Sequence, residues 1–174
     1  MKLTSQTLEK AIIFAVEKHQ SQLRKGNGMP YITHPMAVML ILGNIKKSKN
    51  SILLAICCLL HDVVEDCNVT LDEIANQFGY NVASIVSELT SDKEQISVIG
   101  KKQYLSEKML GMSSYSLCIK LADRLHNLTD IGNTEKDLNK IEETNYIIDQ
   151  LLKKRKLTKT HRKLIKMIKQ KIKR

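Results

Sequence analysis

Tryptophan is absent from this chain, and aromatic residues of every kind make up only 4% of it. Seven glycines and two prolines are few for 174 residues. That leaves little of the turn punctuation that many short strands require. Leu, Ile, Lys and Met fill the difference, residues that suit helices, and no stretch shows the apolar–polar alternation of a substantial sheet. The four cysteines, Cys57, Cys58, Cys67 and Cys118, include no CxxC spacing, which speaks against a zinc ribbon or a disulfide framework. Reduced core thiols in a cytoplasmic protein are the expectation. The opening MKLTSQTLEK lacks the apolar stretch of a secretory signal. The longest apolar run, residues 52–60, is too short to span a bilayer, so no membrane partner is expected. No glycine-rich phosphate loop of the Walker type occurs.

One sign of charge is missing from the end of the chain. Residues 153–174 hold 12 Lys/Arg and no acid, whereas residues 1–152 hold 16 Lys/Arg and all 18 acids. The net charge of +10 therefore belongs to the tail and needs an account of its own. The expected organisation is one domain over residues 1–152, with a basic C-terminal helix, 153–174, packed on it.

What is present reads as helix after helix. Residues 8–19 carry apolar side chains at 8, 11, 12, 15 and 16, a helical spacing. A glycine-bearing loop follows, and Pro35 can open the next helix at its first position with His34 before it. Ser51 can cap a helix that is apolar on all sides and hence buried. Thr70 and Glu73 have capping-box spacing, and Gly79 is a plausible stop. Residues 82–89, 101–110, 117–128 and 138–152 read as further helices, and Leu157, Leu164, Ile165, Ile168 and Ile172 stripe the last one. The fold class is all-α, a helical bundle or orthogonal array.

The most informative segment is Leu59-Leu60-His61-Asp62-Val63-Val64-Glu65-Asp66. An apolar helix ends in a His and three carboxylates, with His61 and Glu65, and Asp62 and Asp66, four residues apart. Burying that charge is costly unless a cation or ligand compensates it. Imidazole and carboxylate side by side suit a borderline divalent ion such as Mn, Fe or Zn. The plain alternative is a solvated helix end, although acids there oppose the macrodipole. Asp123 repeats the anomaly in an apolar stretch, and Asn127 shares its face. With His34, four ligands from three segments leave coordination positions for water and substrate.

In order, three strings carry a resemblance. They are Arg24-Lys25-Gly26-Asn27-Gly28-Met29-Pro30-Tyr31-Ile32-Thr33-His34-Pro35, Leu60-His61-Asp62-Val63-Val64-Glu65-Asp66, and Leu121-Ala122-Asp123-Arg124-Leu125-His126-Asn127-Leu128. His19, Phe78-Gly79 and Leu89-Thr90-Ser91-Asp92-Lys93 also fit, so the match runs from residue 11 to about 131. The chain resembles the HD phosphohydrolase superfamily and, within it, the hydrolase domain of RelA/SpoT homologues, including stand-alone small alarmone hydrolases of metazoan type. The resemblance implies an all-helical HD-domain bundle, usually Mn-dependent, that splits guanosine tetra- or pentaphosphate into GDP or GTP and pyrophosphate. Carried over by position, it makes His34, His61, Asp62 and Asp123 metal ligands. Glu65 and Asp66 become the catalytic acid–base pair, Arg24 and Lys25 the basic pair beside the nucleotide, and Asn127 a residue facing the ribose. After Asn127 the chain reads Leu128-Thr129-Asp130, where bacterial members often have Arg-Thr. Guanine-over-adenine selectivity is accordingly expected to be modest.

Other residues have plainer expectations. His19 reads as a hydrogen-bonded structural histidine, His126 as structural or behind the ligands, His161 as surface, and Cys67 as near the site without being a nucleophile. Tyr31 suits loop packing as well as substrate contact. The tail reads first as a packed cap with solvated lysines, and secondly as a surface for RNA, membrane or polyphosphate. With no aromatic residue after Tyr146, base stacking is disfavoured. Competing functions are an HD enzyme for another nucleotide such as NADPH, a non-catalytic nucleotide-binding regulator, or a nucleic-acid-binding protein driven by the tail.

Overall fold

The computed structural model describes residues 2–132 and 134–173. Among these residues the regular structure is eleven helices, and the extended pairing is one isolated bridge between Leu23 and Pro30. The chain divides into two compact units, Met1–Thr90 and Ser91–Arg174.

The first unit holds α1 (Ser5–Lys18), α2 (Thr33–Ile45), α3 (Ser51–Leu60), α4 (Val63–Asp66), α5 (Leu71–Phe78) and α6 (Tyr80–Leu89). Helix α3 lies at its centre, against α1, α2 and α6. Neighbours on three sides explain why its sequence is apolar all round. Leu54, Ile56, Cys57, Cys58, Leu59 and Leu60 are all buried there, each Leu or Ile contributing about 1.5–3 kcal/mol of burial. Burial also pushes the Cys57 thiol well above its ordinary range. None of the four cysteines is in a disulfide, as their spacing implied.

Two helix starts differ from the sequence reading. Helix α2 begins at Thr33, with Ile32 as its N-cap residue, so His34 is already helical and Pro35 is third. The amides of Thr33 and His34 donate to Pro30 and Tyr31 carbonyls at 3.1 and 2.8 Å, a tight turn feeding directly into the helix. Proline is harmless at that place because first-turn amides lack intrahelical partners anyway. Asn50 and not Ser51 takes the cap position of α3. The Thr70 side chain accepts from the Glu73 amide at 3.1 Å, as expected. Gly79 stops α5 and starts α6 at φ +93°, a conformation that side chains disfavour.

The second unit holds α7 (Lys93–Ile99), α8 (Lys101–Gly111), α9 (Ser114–Asn127), α10 (Glu135–Lys154) and α11 (Lys159–Ile172). Helix α9 is the buried one, and α11 packs on it through Leu164, Ile165 and Ile168. Helix α10 packs on α8. Arg124 of α9 is buried and donates to Glu143 and Thr144 of α10 at 3.0 and 2.8 Å, so a charge inside the unit is paired. Arg155 closes the end of α8, donating to the carbonyls of Met109, Leu110 and Met112, which have no helical amide to accept from.

His161 corrects the sequence reading. It is 1% exposed, forms the far half of a capping box with Thr158, and donates from Nε2 to the Ser114 carbonyl at 3.0 Å. Its surroundings in sequence are basic, but its position three residues past the cap turns it toward α9.

Candidate metal centre

Buried α3 delivers its last residues to a turn. His61 and Asp62 lie between α3 and α4, with Asp62 as the N-cap residue of α4. The continuous helix expected through Asp66 is therefore interrupted, and the macrodipole argument no longer applies to Glu65 and Asp66, which sit on a separate single turn. Glu65 is half-buried and Asp66 exposed.

His61 is 1% exposed and its Nδ1 donates to the Cys58 carbonyl at 2.7 Å. That bond fixes the tautomer and leaves Nε2 as the lone-pair atom, the arrangement that metal-ligating histidines use. His61 Nε2 lies 3.0 Å from Asp62 Oδ2, and His34 Nε2 lies 3.7 Å from the same oxygen. The two imidazoles offer nitrogens within 4.8 Å of each other, with ring centroids 5.2 Å apart. Two nitrogens and one carboxylate oxygen thus converge in the first unit, a donor set suited to a borderline divalent ion.

A fourth group shares this cluster. The Tyr31 hydroxyl donates to Asp62 Oδ2 at 2.6 Å, and its ring stands edge-on to His34, 5.7 Å between centroids. Sequence reasoning gave Tyr31 no defined role, although its place three residues before His34 was a usable signal. Behind it His19 is buried, its Nδ1 donating to Gln22 at 2.6 Å, which agrees with the structural role expected of it. Gln22 in turn donates to the Asp66 carbonyl at 3.0 Å, tying the loop to α4. Cys67 Sγ lies 3.2 Å from His19 Nδ1. Burial first, then the charges of Asp66 and Asp62, push its thiol up to about 11, against smaller opposing effects of Lys18 and Gln22.

The loop before Tyr31 is a tight hairpin-like turn. Arg24 and Met29 pair through backbone atoms at 2.8 Å, and Gly28 takes φ +69°. Lys25 is exposed at its tip, while the Arg24 side chain is buried.

In the second unit Asp123 is 7% exposed near the end of α9. Lys120 Nζ lies 3.2 Å from its Oδ2, and Asn127 Nδ2 donates to its Oδ1 at 2.5 Å. The Asn127 carbonyl accepts from Lys140 at 2.9 Å. Lys120 was overlooked in the sequence, though a cation three residues before a buried carboxylate shares its helix face. Thr129, at the departure from the bacterial pattern, is exposed and donates to the His126 carbonyl at 2.6 Å.

The family model described as "HD domain" matches residues 11–155. The chain belongs to the HD-domain family. It is 40% identical over 129 residues to the mouse and human proteins named guanosine-3′,5′-bis(diphosphate) 3′-pyrophosphohydrolase MESH1, covering 74% of this chain and 70% of each of them. It is 37% identical over 145 residues to the Brucella melitensis GTP pyrophosphokinase rsh, covering 79% of this chain but 19% of that protein. Among solved structures, a metazoan orthologue of SpoT, described as hydrolysing ppGpp and acting in starvation responses, superposes with a TM-score of 0.79. It is 26% identical, over 98% of both chains. A Listeria monocytogenes protein at 22% identity and a TM-score of 0.64 shares the fold, over 84% of this chain and 99% of that one. These likenesses bear out the all-α HD fold. Among the described residues, no helix is long and apolar enough to cross a membrane.

Proposed function

We propose that this protein is a guanosine-3′,5′-bis(diphosphate) 3′-pyrophosphohydrolase, releasing pyrophosphate from guanosine tetra- or pentaphosphate to give GDP or GTP. The observation that carries the reading is the meeting of His34 Nε2 and His61 Nε2 on Asp62 Oδ2, at 3.7 and 3.0 Å, with the His61 tautomer fixed by Cys58. The name of the MESH1 relatives supplies the substrate class. The pyrophosphokinase name of the Brucella relative is not carried over, since this chain spans 19% of that protein.

His34, His61 and Asp62, whose donor atoms converge, and Asp123 by its place in the family pattern, are proposed to hold one divalent ion; a mixed nitrogen and oxygen set suits Mn, Fe or Zn, and the family resemblance implies Mn. When bound, that ion supplies an activated water and positive charge for the phosphate oxygens. The chain's own groups do the rest. Glu65, half-buried, and Asp66, exposed, both on α4, act as the acid–base pair that takes the proton of the attacking water and passes it to the departing 3′ oxygen. Lys25, at the tip of its loop, and Arg24 hold the distal phosphates through charge-assisted bonds, and Asn127 faces the ribose. A cytoplasmic setting fits four cysteines outside any disulfide.

The test is a product assay. Purified protein with Mn is offered guanosine tetraphosphate, its adenine analogue and NADPH, and phosphate and pyrophosphate are resolved. Intact pyrophosphate from the guanine substrate is expected, with selectivity over adenine modest because Thr129-Asp130 replaces the bacterial pair. Lys25→Ala should weaken the preference for a 3′-diphosphate over a 3′-monophosphate by about 1–3 kcal/mol. Orthophosphate from NADPH with no cleavage of guanosine tetraphosphate overturns the substrate while leaving the metal site standing.

A further inference from the structure

The hydrolase reading leaves the basic tail without a task. The tail holds 12 Lys/Arg and no acid; among the described residues, Arg155 caps a helix end and Lys169 pairs with Asp149, uses within the fold for two of them. Helix α11 has spent its apolar side on α9, where Leu164, Ile165 and Ile168 are buried. What remains outside is cationic. At 100° per residue, Arg162, Lys166, Lys169 and Lys173 fall within one narrow sector of the helix, at i, i+4, i+7 and i+11. They form a ridge about 16 Å long, by 1.5 Å of rise per residue.

This ridge borders a groove of about 370 Å³ between α10 and α11, floored by Leu152 and Ile165. Arg162, Lys166 and Lys173 are exposed, and Lys169 is half-buried. One acid faces the ridge, Asp149 of α10, 3.7 Å from Lys169. Lys163 and Lys171 project from other sectors, about 100° and about 180° round the helix from Arg162, and neither lines the groove.

We infer that this ridge and groove dock the phosphate backbone of a nucleic-acid strand without reading its bases. Charge complementarity demands a polyanion. A ridge of four cations with steps of three and four residues is longer than a single nucleotide's phosphates and suits a run of them. A bilayer fits less well, since surface-bound amphipathic helices bury an apolar face and the apolar face of α11 is occupied within the protein. The lack of aromatics in the tail removes base stacking, so contact is confined to backbone charge. This surface is independent of the hydrolase reading and stands or falls separately from it.

The experiment measures fluorescence anisotropy of a labelled uridine oligonucleotide with the whole protein, across about 50 to about 200 mM salt. Four phosphate contacts on a single strand give a slope of log affinity against log salt of about −3. Replacing Arg162, Lys166, Lys169 and Lys173 by Gln should cost more than tenfold in affinity and flatten the slope. The milder pair Lys166→Gln and Lys173→Gln should remove about half of the slope. Lys163→Gln with Lys171→Gln, the same number of charges off the groove, should change it much less. Circular dichroism and hydrolase turnover check that each variant is folded. Salt-insensitive or absent oligonucleotide binding overturns the proposal. So do equal losses from the two double variants, or tighter binding to phosphatidylcholine–phosphatidylserine vesicles than to the oligonucleotide.

Discussion

The hydroxyl of Tyr31 donates to Oδ2 of Asp62 at 2.6 Å, the same oxygen toward which His61 and His34 turn their Nε2 atoms. One proton donor thus settles which carboxylate oxygen is held and where it points. Asp62 sits in a turn and not inside a helix, so its backbone alone fixes the carboxylate poorly, and Tyr31 supplies the missing constraint.

Tyr31→Phe should therefore keep the fold and the aromatic contact with His34 but weaken divalent-ion binding roughly 10–100-fold, the usual cost of losing a group that orients a ligand. Titration calorimetry with Mn measures this directly, without reference to turnover. Unchanged affinity would show that the hydroxyl merely packs the loop.

His61→Ala or Asp62→Ala should abolish both bound metal and turnover, since each removes a donor atom from the cluster. Metal content by elemental analysis and pyrophosphate release are the two readouts. A variant that keeps full activity and normal metal content would show the ion is held elsewhere.

Glu65→Gln and Asp66→Asn should retain the ion and lose about 100-fold or more in kcat, the scale of a lost acid–base group. Both residues lie on the single turn of α4, beyond the break at His61–Asp62, so neither change disturbs the ligands' backbone. If metal is lost instead, these carboxylates belong to its support.

The proposed ligands were legible because their residue types are costly to bury and so stand out in apolar runs. His61 and Asp62 follow an unbroken apolar helix, and Asp123 interrupts another. What could not be read is where the chain turns. Residues 59–66 have no glycine or proline to mark the break between α3 and α4, so local preference favoured a continuous helix. Helix α7 passed unnoticed because it buries no residue and hence has no apolar rhythm, its start being set by the Asp92 side chain bonding the Glu94 and Gln95 amides. His161 was misplaced because a histidine at the third position of a capping box departs from the usual Glu or Gln pattern. Tyr31 was undervalued because its partner lies 31 residues away.

Arg155→Ala should lower stability by about 1–3 kcal/mol, the cost of leaving buried acceptors unmatched. Its guanidinium serves three carbonyls at the end of α8, and Lys at this position lacks the fork to reach them together. Urea unfolding of Arg155→Ala and Arg155→Lys should give reduced midpoints in both, with alanine lower. Equal stability of wild type and alanine would mean that water replaces the guanidinium without loss.

Cys67 offers a test in pH. It is the one cysteine that is not buried, yet its thiol is raised to about 11 from an ordinary 9.0. The cause is burial first, reinforced by the neighbouring charges of Asp66 and Asp62, all of which disfavour thiolate. Since thiolate is the reactive form, alkylation by iodoacetamide should be slow at pH 7 and rise about tenfold per pH unit to near pH 11. A free thiol would level off near 9. The sign for stability follows the same direction. The unfolded chain releases this proton first, so the contribution of Cys67 is complete below about pH 9 and is lost as pH climbs toward 11. Mass spectrometry of the Cys67 peptide across pH 7–11 checks the rate. An early plateau would mean that the acids beside it are neutralised, as a bound cation or a shared proton would cause.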